Sequence, residues 1–215
     1  MKDYKLVIFD WDGTLMDSVA RIVSSMQAAA KIEGLPVPSD VEVKEIIGLS
    51  LPVAFDKLFP GITATQVEAM LTQYKFQFIE ADTTPMPLFD NAANLLVQLK
   101  KKNKILAIAT GKGREGLTHV LQVSGMTQHF DTIRCAGEMP SKPNPEMLNS
   151  ILAELNILPS EAIMIGDTSH DLEMALAANI DSVGVTFGVH NSERLSQYNP
   201  KHTVDSLTEL QDILV

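Results

Sequence analysis

Four polar clusters in this chain hold residue types that can move a phosphoryl group. The first is Asp10-Trp11-Asp12-Gly13-Thr14. In extended backbone, residues i and i+2 point the same way, so Asp10 and Asp12 can serve one pocket while Trp11 points elsewhere. A carboxylate can attack phosphorus and form an acyl phosphate. A second carboxyl nearby can protonate the leaving oxygen and later deprotonate water. Crowding of negative groups around Asp12 would favour the protonated form that this task requires. Gly13 permits a sharp departure of the chain. Taken alone, the cluster also reads as a strand end followed by an Asp-Gly turn.

The second cluster, Thr110-Gly111-Lys112-Gly113, offers a hydroxyl and free backbone N–H groups. At the start of a helix these make a phosphate cradle, although Thr110 alone would also serve as a simple helix cap. The third is Ser141-Lys142-Pro143-Asn144-Pro145-Glu146. Lys142 can hold a fixed positive charge against a nucleophile and a transferring phosphoryl group. Pro145 suits the first turn of a following helix. A single lysine at such a place is otherwise a solvated one. The fourth is Gly166-Asp167-Thr168-Ser169-His170-Asp171. Two carboxylates four residues apart at a strand-to-helix turn suit a hard cation with oxygen ligands. As a bland alternative, Asp171 simply stabilises the first helical turn. His170 has no second histidine placed to help it and reads as a surface or packing residue.

The elements that must position these clusters are legible from the apolar pattern. Leu6 to Phe9 is a short apolar run without alternation, as expected of a strand buried on both faces. Comparable runs lie at 104–109, 132–135, 162–165 and 182–185. Helical periodicity fills the intervals at 88–102, 117–123, 146–155 and 172–178. Strands alternating with helices predict an α/β fold with a doubly wound parallel sheet. Each polar cluster follows a strand, and that end of an open parallel sheet is where ligands bind. Residues 18–85 break the alternation and show only helical stretches, at 19–32, 41–47, 53–59 and from Thr63 or Thr65 to Ile79, with Ser39 as an N-cap. This predicts an inserted all-helical cap domain over 18–85 and a catalytic core formed by 1–17 and 86–215, with Asp82 to Pro87 as the exit linker.

Composition limits the partners. The 215-residue chain has a net charge of -10, from 27 acidic against 17 basic residues. Nucleic acids and anionic membranes call for basic patches, so neither is an expected partner. A small phosphorylated metabolite is not excluded, because a metal and a few local cations reverse the field within one pocket. The single cysteine, Cys135, allows no intramolecular disulfide and suits a reducing compartment. The four apolar residues from Leu6 are too few for a signal-peptide core, and no window reaches the roughly 18 apolar residues of a membrane span. The chain is expected to be cytoplasmic, as a monomer or homodimer.

Individually weak, the four clusters form a specific order. Together they resemble the haloacid dehalogenase superfamily, whose pattern is Asp-x-Asp-x-Thr, then a strand-end Thr or Ser, then a Lys, then an acidic pair near Gly-Asp. Here these are Asp10, Asp12 and Thr14, then Thr110, Lys142, and Asp167 with Asp171. The residues from Phe9 to Ser18 and the run Gly48-Leu49-Ser50-Leu51-Pro52 are similar to the phosphoglycolate-phosphatase-like subgroup, with Trp11 in place of its more usual leucine. The resemblance implies Asp10 as nucleophile, Asp12 as acid–base, and Thr110 and Lys142 as stabilisers of phosphate and nucleophile, with Gly111 donating its N–H to phosphate. It implies Mg2+ bound by Asp10, the Asp12 backbone carbonyl and Asp167, with Asp171 in the outer shell.

Phosphoglycolate is then one candidate substrate. The helical insert carries five basic and eight acidic residues, which gives no cationic bias toward a carboxylated substrate. Arg21 is its one candidate for reaching a leaving group, although it reads more readily as a solvated arginine. Haloacid dehalogenases and phosphonoacetaldehyde hydrolases lack a carboxyl two residues after the nucleophile, and transport ATPases need membrane helices. A sugar-phosphate mutase keeps the second carboxyl and remains the alternative enzyme. A receiver-like signalling protein lacks the helical insert. A non-catalytic phospho-ligand binder is expected to have lost one of Asp10, Asp12, Lys142 or Asp167.

Overall fold

The structure, a computed structural model, describes residues 2–215. The chain opens with β1 (Leu6–Phe9), then makes four helices, α1 (Val19–Ile32), α2 (Asp40–Ile46), α3 (Leu51–Leu58) and α4 (Ala64–Phe76). The last of these continues into a wider, π-helical turn over Gln77–Ala81. Helices and strands then alternate: α5 (Ala92–Lys101), β2 (Ile105–Gly113), α6 (Arg114–Ser124), β3 (Thr132–Ala136), α7 (Glu146–Leu155) and β4 (Ala162–Gly166). They end with α8 (Ser169–Ala177), β5 (Asp181–Val185), α9 (Ser192–Ser196), β6 (His202–Val204) and α10 (Leu207–Leu214).

The six strands form one sheet in the order β3-β2-β1-β4-β5-β6, and every pairing is parallel. β1 lies between β2 and β4, with Phe9 in register with Ile108 and Ile165. This explains its unbroken apolar run. Leu6 and Ile8 face one layer, with Met147, Leu148 and Ile151 of α7 and Met174 of α8. Val7 and Phe9 face the other, with Leu95 and Leu99 of α5 and Leu117 of α6. All four β1 side chains are fully buried, each favouring the fold by about 1.5–3 kcal/mol.

The helical segment after β1 packs as a continuation of the second layer, through Met26, Val43, Phe55 and Met70. Its helix starts are written in the sequence. Ser39 and Glu42 form a reciprocal capping box on α2, and Thr63 and Gln66 do the same on α4, which decides for Thr63 over Thr65. Such caps are worth about 1 kcal/mol each.

Three helix starts differ from expectation by three residues or more. The helix expected from Leu88 begins at Ala92, because Asn91 takes a left-handed conformation with φ 69°. Residues 87–89 instead run beside 15–17: Asp17 N–H donates to Pro87 O at 2.8 Å and Phe89 N–H to Leu15 O at 3.0 Å. These two strands of backbone carry the chain out to the helical segment and back. α6 and α8 begin three residues earlier than the apolar stripe suggests, at Arg114 and Ser169, because their first turns are polar. β6 was not expected. Only Val204 of its three residues is buried, and its pairing with β5 defines it.

Candidate active site

The carboxyl ends of β1, β2 and β4 meet at one point, and the four polar clusters supply its side chains. Asp10 leaves β1, Thr110 sits near the end of β2, Asp167 follows β4, and Lys142 arrives from the segment after β3. All four are buried. The Lys142 ammonium contacts Asp10 Oδ1 at 2.9 Å and donates to Asp171 Oδ1 at 2.6 Å. Asp171 is fixed by its other oxygen, which accepts the Thr168 hydroxyl at 2.6 Å and the Thr168 N–H at 3.1 Å in the capping box of α8. Asp167 accepts the Thr14 hydroxyl on Oδ1 at 2.8 Å and the Val189 N–H on Oδ2 at 2.9 Å.

Gly13 shows why this loop needs glycine. It has φ 81°, and a Cβ there would stand 2.3 Å from Asp167 Oδ2. The turn that turns the chain away after Asp12 also makes room for the Asp167 carboxylate.

Two buried carboxylates, Asp10 and Asp171, share the Lys142 ammonium, and a third, Asp167, lies beside them. Burial raises the Asp10 pKa above the usual carboxylate range; Lys142 opposes this, and Asp171 and Asp12 add to it. Burial raises Asp167 well above its ordinary value, reinforced by the charges of Asp171 and Asp10. Burial alone would lower Lys142, but Asp10 and Asp171 hold it above its normal value. Fully ionised, the three carboxylates would outnumber the one ammonium among them in a dry setting, and the raised proton affinities of Asp10 and Asp167 are the response to that imbalance.

A divalent cation fits that excess. One carboxylate oxygen from each of Asp10, Asp167 and Asp171 lies within 4.8 Å of the others. Both Asp10 oxygens are buried and accept no directed hydrogen bond, although Lys142 is close. Every donor is oxygen, the choice of magnesium over softer metals. Asp171 already spends both oxygens on Lys142 and Thr168, which leaves it better placed to support than to coordinate.

Asp12 has a different environment from the expected one. Its nearest charged partner is a cation: Lys112 Nζ lies 3.1 Å from both carboxylate oxygens. The buried Ser18 hydroxyl donates to Asp12 Oδ1 at 2.6 Å. Lys112 also stands 4.0 Å from the centre of the Phe78 ring, so the core motif and the helical segment meet at this side chain. Neither Ser18 nor Lys112 was singled out as a site residue. Both lie inside motifs, but only the fold brings them onto Asp12.

The second cluster ends at a helix start but does not open on one: Gly113 is the N-cap of α6. β2 runs through Gly113, its ladder with β3 is irregular between Ala109 and Gly113, and α6 begins at Arg114. Thr110 is thus a strand residue and caps no helix; its hydroxyl accepts the Lys112 N–H at 3.1 Å. Gly111 packs against the helical segment. Trp11 is fully buried edge-on to Phe130, away from the carboxylates.

Arg21 does not reach the site. Its guanidinium donates to Thr84 O at 2.6 Å and to Phe78 O at 3.5 Å, which braces the exit of the helical segment. His170 is half-buried over Glu45 O at 3.4 Å, as a packing histidine. His190, passed over in the sequence, accepts the Ser169 N–H on Nδ1 at 2.8 Å and so holds the start of α8.

A cavity of about 370 Å³ opens over Asp10, Asp12 and Thr110, with the helical segment forming its upper wall. The haloacid dehalogenase-like hydrolase family model matches residues 7–185, from β1 through β5. The chain belongs to this family. Among relatives of this haloacid dehalogenase-like hydrolase, the probable phosphatase IndB of Dickeya dadantii is 32% identical, over 95% of this chain and 91% of its own. The phosphoglycolate phosphatase of Vibrio vulnificus is 27% identical, over 100% of this chain and 97% of its own. A crystal structure of a candidate haloacid dehalogenase-like hydrolase from Bacteroides fragilis superposes with a TM-score of 0.89 at 27% identity, over 97% of this chain and 100% of its own. The chain is an enzyme of the phosphoric monoester hydrolase class. Among the described residues, no helix is long and apolar enough to cross a membrane.

Proposed function

We propose that this enzyme is a magnesium-dependent phosphatase of small phosphorylated metabolites, working through an aspartyl-phosphate on Asp10. The observation that carries this reading is the Asp10 carboxylate: buried, without a directed hydrogen bond, and at the floor of the cavity. Residues 18–85 act as a cap over the core of 1–17 and 86–215, and the protein works in the cytoplasm as a monomer or homodimer.

In the first step an Asp10 oxygen attacks phosphorus and the bond to the leaving alcohol breaks. Asp12 gives its proton to the departing oxygen. The Thr110 hydroxyl, the Gly111 N–H and the Lys142 ammonium hold the phosphoryl oxygens, and Lys142 also holds Asp10 in line. In the second step Asp12 takes a proton from water, whose oxygen attacks phosphorus. The acyl phosphate bond breaks, inorganic phosphate leaves and the Asp10 carboxylate is regenerated. Asp10, the Asp12 carbonyl and Asp167, with Asp171 supporting, would hold magnesium, which would supply positive charge to offset the negative charge of the phosphoryl group. Closing the cap excludes bulk water and favours small esters over folded phosphoproteins.

The test is intact-protein mass spectrometry after incubation with acetyl phosphate and Mg2+ and an acid quench. Asp12→Asn keeps the nucleophile and a leaving group that needs no proton, so a species one phosphoryl heavier accumulates. Asp10→Asn gives none. Label on Thr110 or Ser169 would move the nucleophile elsewhere, and full turnover after exhaustive chelation would remove the metal from the reading.

A further inference from the structure

The cavity over Asp10 has a lining that discriminates between substrates. Its upper wall comes from the helical segment and is apolar: Ile22, Met26, Ile47, Leu49, Leu51 and Phe78. Three cations reach it, Lys112, Lys75 and Arg114. Each already faces a carboxylate of the protein. Lys112 pairs with both oxygens of Asp12 at 3.1 Å, Lys75 with Glu115 at 2.9 Å, and Arg114 with Glu138 at 2.7 and 2.9 Å. Lys75 and Arg114 are solvent-exposed, which leaves Lys112 as the one interior cation beyond Lys142.

A substrate with a carboxylate on its leaving group would need an unpaired cation inside the cavity, because a buried unpaired charge is strongly unfavourable. The interior cation open to it is Lys112, and pulling that off Asp12 would disturb the group that handles the leaving-group proton. Lys75 and Arg114 are exposed, so a carboxylate drawn to them gains only a weak, solvated pair. An apolar leaving group meets no such conflict and removes the six-residue wall from water.

We infer that the preferred substrate is a phosphomonoester of a neutral alcohol with an apolar body, alkyl or aryl, and not phosphoglycolate. The inference rests on the phosphatase reading of the site. Phosphate binds to Asp10, Thr110 and Lys142 below; the alcohol's carbon body lies against the apolar wall above, with its ester oxygen toward Asp12.

The experiment measures kcat/KM with Mg2+ for ethyl, butyl and hexyl phosphate, whose leaving alcohols need the same proton, and for phosphoglycolate. Acetyl phosphate is the reference for chemistry without an apolar body. Each seated methylene should raise kcat/KM about 4-fold, so hexyl phosphate, four methylenes longer, should exceed ethyl phosphate by roughly 250-fold. It should also exceed phosphoglycolate. Leu51→Lys, at a half-buried position in the wall, should flatten the alkyl series and raise phosphoglycolate turnover. A flat alkyl series, or phosphoglycolate as the better substrate, with acetyl phosphate turned over, overturns the inference and leaves the phosphatase standing. Failure of acetyl phosphate and every ester alike overturns both.

Discussion

The Lys142 ammonium stands 2.9 Å from Asp10 Oδ1, and both side chains are sealed from solvent. A buried pair of this kind is costly to assemble and much costlier to break, because the surviving charge has no water to turn to. Here Lys142 serves Asp10 and Asp171 together, with Asp167 adjacent. Lys142→Met keeps the volume and removes the charge. Without metal it should lower the unfolding free energy by about 3–5 kcal/mol in urea titrations. Mg2+ should recover more stability in the variant than in the wild type, since it meets a less compensated set of carboxylates. Equal urea midpoints with and without Mg2+ would contradict the cation assignment.

At Gly111 the backbone of β2 passes close to the helical segment. A Cβ there would stand 2.3 Å from Gly48 O and 2.8 Å from Leu49 O, both backbone atoms that cannot swing aside. Gly111→Ala must therefore push the 48–49 loop away from Thr110 or shift the β2 end. Displacements near 1 Å at a reacting centre cost up to roughly 100-fold in rate. We expect a loss of that order in kcat/KM, with the core's thermal midpoint little changed. Gly113→Ala is the control, since no atom lies within 4 Å of its Cβ position. Equal effects of the two changes would show that backbone freedom, and not the contact with Gly48, governs the site.

What could be read from sequence depended on the range of the interaction. β1 was legible because four consecutive apolar residues can be satisfied only by burial on both faces. The α2 cap was legible because Ser39 and Glu42 lie three residues apart. Asp10, Lys142, Asp167 and Asp171 were legible as a set because their order along the chain is specific, although they come from three separate segments. Ser18 and Lys112 were not. Ser18 reaches Asp12 through the turn that precedes α1, and Lys112 reaches it across the β1–β2 pairing. Neither relation leaves a local spacing. Arg21 misled because a cation on the first helix of the insert says nothing about which way that helix faces. β6 carries too little apolar surface to signal itself and exists through its ladder with β5.

Asp82 anchors the exit of the helical segment. It accepts hydrogen bonds from the Ser24 and Ser25 hydroxyls and from the Thr84 N–H at 2.8 Å, while Arg21 holds Thr84 O. Burial is the largest single influence and raises its pKa, but the donors together outweigh it and hold the carboxyl below the ordinary value of 3.8. A carboxylate with a depressed folded-state pKa stabilises the protein fully above its unfolded pKa and loses that contribution as pH falls through the folded one. Asp82→Asn should therefore lower stability at pH 7 by about 1–2 kcal/mol. Its gap from wild type should narrow only below about pH 4. Urea midpoints of both proteins at pH 7, 5 and 3 measure this. Arg21→Ala should lower stability in the same way and leave the ranking of substrates unchanged.

Ser18 separates the positioning of Asp12 from its chemistry. Its hydroxyl is fully buried and donates to Asp12 Oδ1 at 2.6 Å, while Lys112 holds the same carboxylate from the other side. Ser18→Ala removes one tether and leaves the carboxyl in place. If Asp12 protonates the leaving oxygen, a looser Asp12 should slow alkyl phosphates, whose alkoxides need that proton, by roughly 10-fold in kcat, a fraction of what a general acid contributes. KM should move little, because the proposed phosphate holders, Thr110, Gly111 and Lys142, are left in place. Formation of the phosphoenzyme from acetyl phosphate should be nearly unchanged, because acetate leaves without a proton. Its hydrolysis should slow, because Asp12 must then act as base. Ser18→Thr, which keeps the hydroxyl, should restore alkyl phosphate turnover. Rapid-quench kinetics resolve the two steps. An equal loss in phosphoenzyme formation from acetyl and alkyl phosphates would mean that Ser18 supports the loop as a whole and that Asp12 does not depend on it for proton transfer.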